Sequence, residues 1–547
     1  MIGVISDDKQ LYIIKEFFQL FKTPWELYDE AGDYNVVIST KNEANTVNTK
    51  LLIIYGAKKK LFDTRKNIEI YPDRNNQFLY CDNIEIPIYR NISTLKAQGQ
   101  TIGNILGDSS KTVVMEFATS EQKIIRACYN IFDEIEYLLS VGQPVINSQI
   151  PTVELHINML RNWIINSDVP LVEIPAIPAG FNFITCLTHD VDYVKISHHK
   201  FDHTMWGFLY RAIITTALDY VRKRIPLRKL VHNWKAAFTL PFVYLGLYRD
   251  FWLQFDRCME IEQDLKSTFF FIPFKNRSGN NISKQAKKQR ATKYDIKDIQ
   301  MEVKKLLEAG YEIGTHGIDA WVNRAMAYRE LSRIREVTSQ PNMGIRMHWL
   351  CFNENSYRIL DDVGFSYDSS FGYNGTVGYR GGTSQVFRPK GVQNILELPL
   401  HIQDTALFSY KEMNLCESDA WKICQQLIDN ASLYGGVLTV LWHMRSLAPE
   451  RLWGDFYIKL LKELKARNVW FATGQQAIQW FKKRRDFLFK NIEFSDSTVR
   501  IKHLDNRKDN TPPLILRIHR QKHLPETKRN YTDLLLSSNL DETISLN

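Results

Sequence analysis

From about residue 176 onward, short β-rich runs alternate with helical patterns, and this alternation restricts the chain to parallel-sheet architectures. FNFITCLT stops at His189-Asp190, STFFFI at Pro273, YEIGT at His316, GFSY at Asp368, NILELPL at His401 and GGVLTVLW at His443. VWFAT follows, ahead of a helical pattern that holds Ile478, Trp480 and Phe481. Ahead of YEIGT, Asp295 is placed to cap a helix whose Ile296, Ile299, Val303, Leu306 and Leu307 share one face, with Gly310 closing it. About seven such βα units, with reactive side chains at the strand C-termini, predict a (β/α) barrel whose chemistry sits on one rim.

The rest of the chain is organised around that repeat. At roughly 150 residues per domain, a chain of 547 residues predicts three or four domains. Residues 1–175 mix short apolar runs such as YNVVIST, KLLIIYGA and TVVMEFA. They are followed by a helical pattern, beginning at Ser120, that runs through Ile124, Ile125, Cys128, Ile131, Phe132, Ile135, Leu138 and Leu139 and ends at Gly142. An α+β domain without a catalytic constellation is expected there. Residues 195–265 interrupt the barrel with Trp206, Phe208, Tyr210, Trp234, Phe238, Trp252 and Phe255 among many basic residues. This segment predicts a helical insertion over the barrel, with peripheral contact to a membrane surface or to a glycan as the alternative to plain packing. Residues 488–547, with VRIKHL and LILRIHR, predict a small β module ending in a disordered polar tail. The expected fold is therefore α/β, a distorted (β/α) barrel over 176–487 flanked by an N-terminal α+β domain and a C-terminal β module.

Charge and hydropathy exclude several classes. Seventy basic residues against 61 acidic ones leave +9 with no polycationic block, so a dedicated nucleic-acid binder is not expected. The opening MIGVISDDKQ has no apolar signal core, and the longest nearly uncharged apolar stretch, Ala236 to Tyr248, is 13 residues with a proline inside. Neither a cleaved secretion signal nor a transmembrane helix is expected. The 7 scattered cysteines contain no CxxC pair and read as reduced thiols of a cytoplasmic protein.

The sharpest local signal is Thr188-His189-Asp190-Val191-Asp192, directly after an apolar run. Two carboxylates at this spacing on a strand end can divide labour, one binding a metal and the other taking a proton from water. His316, Arg346, His348, Asp368 and His443 recur at later strand ends of the same expected rim. Imidazole with carboxylate suits zinc, iron, cobalt or nickel, with zinc the default divalent metal. A second pair, His199 and His203, has helical i, i+4 spacing inside the insertion, where a surface role is expected.

The order THDVD, GTH, IRMHW and LWH resembles the polysaccharide deacetylase family, the NodB-homology or carbohydrate esterase family 4 domain. The resemblance covers about 180–487 and extends to an HDVD subtype with an extra N-terminal domain. It implies a metal-dependent hydrolase that removes N-acetyl groups from an amino-sugar-containing polysaccharide or its precursor. Asp190 would be the catalytic base, Asp192 and His316 metal ligands, Arg346 the partner of the base and His443 the general acid. The family's second motif places another histidine four residues after the first, where this chain has Ala320. His348, standing where the third motif has a proline, would then complete the ligand set, with Asp319 as runner-up. Asp368 and Asp404 both remain candidates to tune His443. Arg380 in GYRGGT resembles an arginine that could bind a sugar or an anionic group, and Trp349, Phe371, Tyr373, Trp442 and Trp453 are candidates to stack on sugar faces. The Ala320 departure leaves two other readings open: a degenerate, glycan-binding deacetylase relative, or a metal-dependent hydrolase of another amide or an O-acyl ester. A cytoplasmic location would favour an unfinished, nucleotide-linked or lipid-linked precursor of a bacterial surface polysaccharide.

Overall fold

The computed structural model describes residues 1–42, 47–119, 122–279, 290–489, 492–494, 498–504, 510–519, 531–536 and 539–545. The chain divides into two compact units, one of Phe181–Gly378 with Gly391–Gln479, the other of Met1–Gly180, Tyr379–Lys390 and Trp480–Asn547.

The first of these units carries the alternating repeat. Its strands are β1 (Ile184–Val191), β2 (Thr268–Phe271), β3 (Glu312–Gly317), β4 (Gly344–Met347), β5 (Tyr367–Asp368), β6 (Leu396–Glu397), β7 (Ile402–Gln403), β8 (Val437–Leu441) and β9 (Trp470–Phe471). They pair only in parallel, in the order β6-β5-β4-β3-β2-β1-β8-β7, with β9 beside the start of β1. The two edge strands β6 and β7 are consecutive in the chain, joined through Leu398 to His401. So short a link spans at most about 17 Å, so the sheet must curl until its edges nearly meet. The result is the distorted α/β barrel expected from the alternation, closed by chain connectivity rather than by a last hydrogen-bonded pair.

Strand periodicity then sorts the side chains. Val191, Phe269, Phe271, Ile313, Ile345 and Met347 lie in one buried cluster with Val303, Leu306, Leu331 and Ile334 of the helices Gln300–Glu308 and Arg324–Thr338. Their strand neighbours face the other way, so Asp190, Phe270, His316 and Arg346 share the inner surface. The floor of that surface is filled by Tyr367, whose hydroxyl donates to Glu312 at 2.7 Å. A Cβ on Gly344 would lie 2.1 Å from the Tyr367 ring and one on Gly474 2.2 Å from its hydroxyl, so both positions need glycine for close approach. Asp295 does accept from the Lys297 N–H at 3.0 Å at the head of its helical turn.

The other unit is built on a nine-stranded mixed sheet. Trp25–Leu27, Ile2–Ile5, Val36–Ser39, Leu51–Tyr55 and Lys123–Ala127 run parallel, and the strands from Asp108–Ala118 onward are antiparallel. Here the sequence pattern misleads at both ends. Ser120 lies outside the described residues, and Lys123–Ala127, expected as helix, is a strand; the helix is Ile131–Ser140, capped by the Asn130 side chain accepting from Phe132 N–H. Ile124 and Ile125 stand at helical spacing from Cys128 and Ile131, but two adjacent β-branched residues next to the buried Leu51–Tyr55 strand are better served as its neighbour. At the other end, Leu514–His519 pairs with Leu171–Glu173 and with Tyr531–Leu536, and Asn539–Ser545 pairs with Thr498–Leu504. The polar C-terminus therefore carries strands where a disordered tail is expected from composition.

Candidate active site

The site is built where four inner-surface strand ends converge. Asp190 is the penultimate residue of β1 and is 4% exposed. Its Oδ1 accepts from Arg346 Nη1 at 3.1 Å, and the same nitrogen donates to Thr188 Oγ1 at 2.7 Å. Arg346, fully buried on β4, also donates to the Ser369 carbonyl (3.0 Å) and hydroxyl (2.8 Å) and lies 4.7 Å over the Phe270 ring. A guanidinium held by four hydrogen bonds and a ring face is rigid, and it fixes the orientation of the carboxylate beside it.

Next to this pair, Asp192, His316 and His348 bring one ligand atom each within 4.8 Å of one another. Asp192 Oδ1 is 3.2 Å from His316 Nε2 and 3.4 Å from His348 Nε2. Donors about 2.0–2.1 Å from a tetrahedral zinc stand about 3.3 Å apart, so these residues fit a divalent cation. Proton placement points the same way. His316 Nδ1 lies 2.9 Å from the Arg346 carbonyl and donates to it, which turns Nε2 toward the Asp192 carboxylate. Burial pushes the His348 imidazole down to about 3, so its ring is neutral at physiological pH, the form that can bind a cation. Asp192 Oδ1 is buried without a well-formed hydrogen bond, an arrangement that a cation shared with the two imidazoles would satisfy.

His348 reaches this point through an unusual backbone. Trp349 (φ +63°) and Leu350 (φ +49°) are both left-handed, at about 1–3 kcal/mol each for residues with a Cβ. Arg290, buried and invisible to motif reasoning, donates to the His348 carbonyl at 2.9 Å and anchors the turn.

On the opposite side of Asp192 stands His443, just past β8. Its Nε2 is 3.6 Å from Asp192 Oδ2, its Nδ1 donates to Asp404 Oδ1 at 2.7 Å, and its backbone N–H donates to Asp404 Oδ2 at 2.7 Å. Burial alone would lower the imidazole, but the Asp404 carboxylate outweighs it and pushes it up to about 9. Burial would raise Asp404 in turn, and His443 holds it below the usual carboxylate range. Asp404 and His443 thus form a proton-carrying dyad.

Other expected residues are placed elsewhere. Asp368 is not the partner of His443: its Oδ1 accepts from Ser370 Oγ at 2.6 Å, and that hydroxyl accepts from the Met347 N–H at 2.8 Å. Asp368, which burial raises to about 7, therefore braces the backbone between Arg346 and His348. Asp319 does not join the three-donor group; its backbone N–H is held by Glu330 at 2.7 Å. Ala320 is packed in the apolar cluster with Ile318, Ala327 and Leu331. His199 is paired with Asp202 at 2.8 Å while His203 is exposed. Among the aromatics, Phe371 is buried and Trp442 is stacked against Phe456 and Tyr457, so both are core; Trp349 is 39% exposed beside His348. Arg380 belongs to the other unit, against Gly142.

A second donor group, His189, Cys258 and Glu262, is fully buried on the outer face of β1. His189 Nδ1 donates to the Trp442 carbonyl at 2.6 Å and Nε2 meets Glu262 at 2.7 Å, while Glu262 also accepts from Tyr457 (2.6 Å) and Ser267 (2.8 Å). Its polar atoms are satisfied by one another, a knot that fastens β1 to the helix Phe255–Glu262 and to β8.

None of the known protein-family models matches the chain, and no curated protein matches it. Similar solved structures include a protein from Mycobacterium smegmatis named as a polysaccharide deacetylase, 17% identical, covering 57% of this chain and 96% of its own, with a TM-score of 0.35. Puue allantoinase is 14% identical over 58% of this chain and 95% of its own, with a TM-score of 0.36. A CE4 family pseudoenzyme from Bacillus anthracis is 13% identical over 54% of this chain and 65% of its own, with a TM-score of 0.24.

Proposed function

We propose that the chain is a metal-dependent hydrolase that removes N-acetyl groups from an amino-sugar-containing polysaccharide or its precursor. The observation that carries this reading is the placement of a base and an acid on either side of one ligand carboxylate. Asp190 Oδ2 lies 3.7 Å from His316 Nε2, and His443 Nε2 lies 3.6 Å from Asp192 Oδ2. Asp192, His316 and His348 would hold the cation, zinc by its preference for such donors. Bound there, it would supply Lewis acidity toward an acyl oxygen.

The chain's own groups account for the proton movements. Asp190, oriented by Arg346, takes a proton from the attacking water. His443, charged and oriented by Asp404, gives its proton to the nitrogen as the C–N bond breaks. The products are acetate and a free amine, so an amide is the bond for which this acid is needed. The N-acetyl sugar class rests on the motif resemblance, and Trp349 offers an exposed ring beside His348 for a sugar face.

Zinc-loaded protein incubated with N-acetylglucosamine oligosaccharides is expected to release acetate and new primary amine in equal amounts. Acetate without amine, from O-acetylated saccharides only, would replace the reading with an esterase. Neither product from metal-loaded protein would overturn hydrolysis altogether.

A further inference from the structure

The helical insertion holds an apolar surface that packing does not use. The long helix Leu227–Tyr244 buries Leu230, Ala236, Ala237, Leu240 and Val243. Yet Leu227 (55%), Val231 (56%), Trp234 (40%), Phe238 (75%), Phe242 (52%) and, just beyond its end, Leu245 (70%) are exposed. At 100° per residue these six share an arc of about 80°, turned roughly 140° from the buried side. A second stripe lies on the preceding helical segment: Trp206, Tyr210, Ile214, Leu218 and Val221 are exposed at helical spacing. The Trp234 indole N–H donates to the Ile213 carbonyl at 3.4 Å, joining the two stripes into one face. Contiguous apolar surface on this scale marks an interaction site.

Its chemistry selects the occupant. Between Phe201 and Tyr248 the sequence has 7 lysines and arginines against 2 aspartates. Arg222, Lys223 and Lys235 are exposed along the stripes. Large aliphatic and aromatic side chains, tryptophan and tyrosine among them, bordered by cations, match the headgroup boundary of an anionic bilayer rather than a protein groove. No helix among the described residues is long and apolar enough to cross a membrane, so this face can only lie along one. The hairpin is also rooted at the catalytic rim. Its buried side packs on Trp252, and Arg445, two residues past His443, lies 4.1 Å over Trp252 and 4.8 Å over Tyr193, the residue after Asp192.

We infer that residues 201–248 dock the protein on an anionic lipid bilayer, with the stripes of Leu227–Leu245 and Trp206–Val221 seated in the interface. The inference stands apart from the deacetylase reading, because the binding it predicts requires neither metal nor substrate. The full chain is expected to co-float with vesicles of phosphatidylcholine and phosphatidylglycerol, and more weakly with phosphatidylcholine alone. Phe238→Glu with Phe242→Glu should abolish flotation at an unchanged melting temperature, since both side chains are exposed. Arg222→Ala with Lys223→Ala should weaken binding to the anionic vesicles by about thirtyfold. Failure of the wild type to float, or flotation indifferent to Phe238→Glu and Phe242→Glu, would overturn docking. So would a lipid-free dimer that the glutamates dissociate without any vesicle binding, which would assign the face to a second copy of the chain.

Discussion

Asp190→Asn is expected to lower acetate release by about 10²–10⁴ while leaving the metal content of the protein unchanged. The substitution keeps the shape of the side chain and removes only its capacity to take a proton. Arg346 would lose a carboxylate partner but keep Thr188 and Ser369, so the inner surface should hold its form. Asp190 does not belong to the three-donor group, which is why metal and turnover should separate in this variant. Turnover within a few-fold of the wild type would defeat the assignment of Asp190 as the base.

His443→Ala should cost a comparable factor in turnover, about 10²–10⁴, and the loss should shrink for substrates whose amine leaves more easily. The pH dependence has a definite sign. His443 must be protonated to act as an acid, and Asp404 pushes it up to about 9, so activity should fall as pH rises through that region. Asp404→Asn removes the carboxylate that raises it, so the alkaline limb should move to lower pH, toward the ordinary histidine value of about 6.5. An alkaline limb unmoved by Asp404→Asn would show that His443 does not set it. Replacing Asp368 should leave that limb where it is, because Asp368 acts on the Met347 backbone through Ser370.

Much of this architecture is legible in the residues, and the exceptions have physical causes. Apolar runs ending in His, Asp or Arg announce strand ends because a parallel strand is buried on both faces and only its C-terminal exit can carry polar chemistry. Period-2 alternation also separates Asp190 from His189, one facing Arg346 on the inner surface and the other the Glu262 knot. His348 is visible as a donor where the motif has a proline, but the left-handed turn at Trp349 and Leu350 that aims it is not. The choice between Asp368 and Asp404 is out of reach of spacing, because both stand at strand ends and only the curl that brings β7 beside β8 selects Asp404. Arg290 escapes for the same reason, since its carbonyl partners at Ile318 and His348 are far apart in sequence. The segment Lys123–Ala127 shows the opposite failure, where a helical spacing of isoleucines coincides with a strand and the neighbouring strand decides.

The proposed cation site is most directly tested by elemental analysis of wild type and His348→Ala, both purified without chelator. About one divalent metal per chain in the wild type, lost in His348→Ala, is expected from three donors of which His348 supplies one. No metal in the wild type, or the same metal content in both proteins, would contradict a site built on Asp192, His316 and His348.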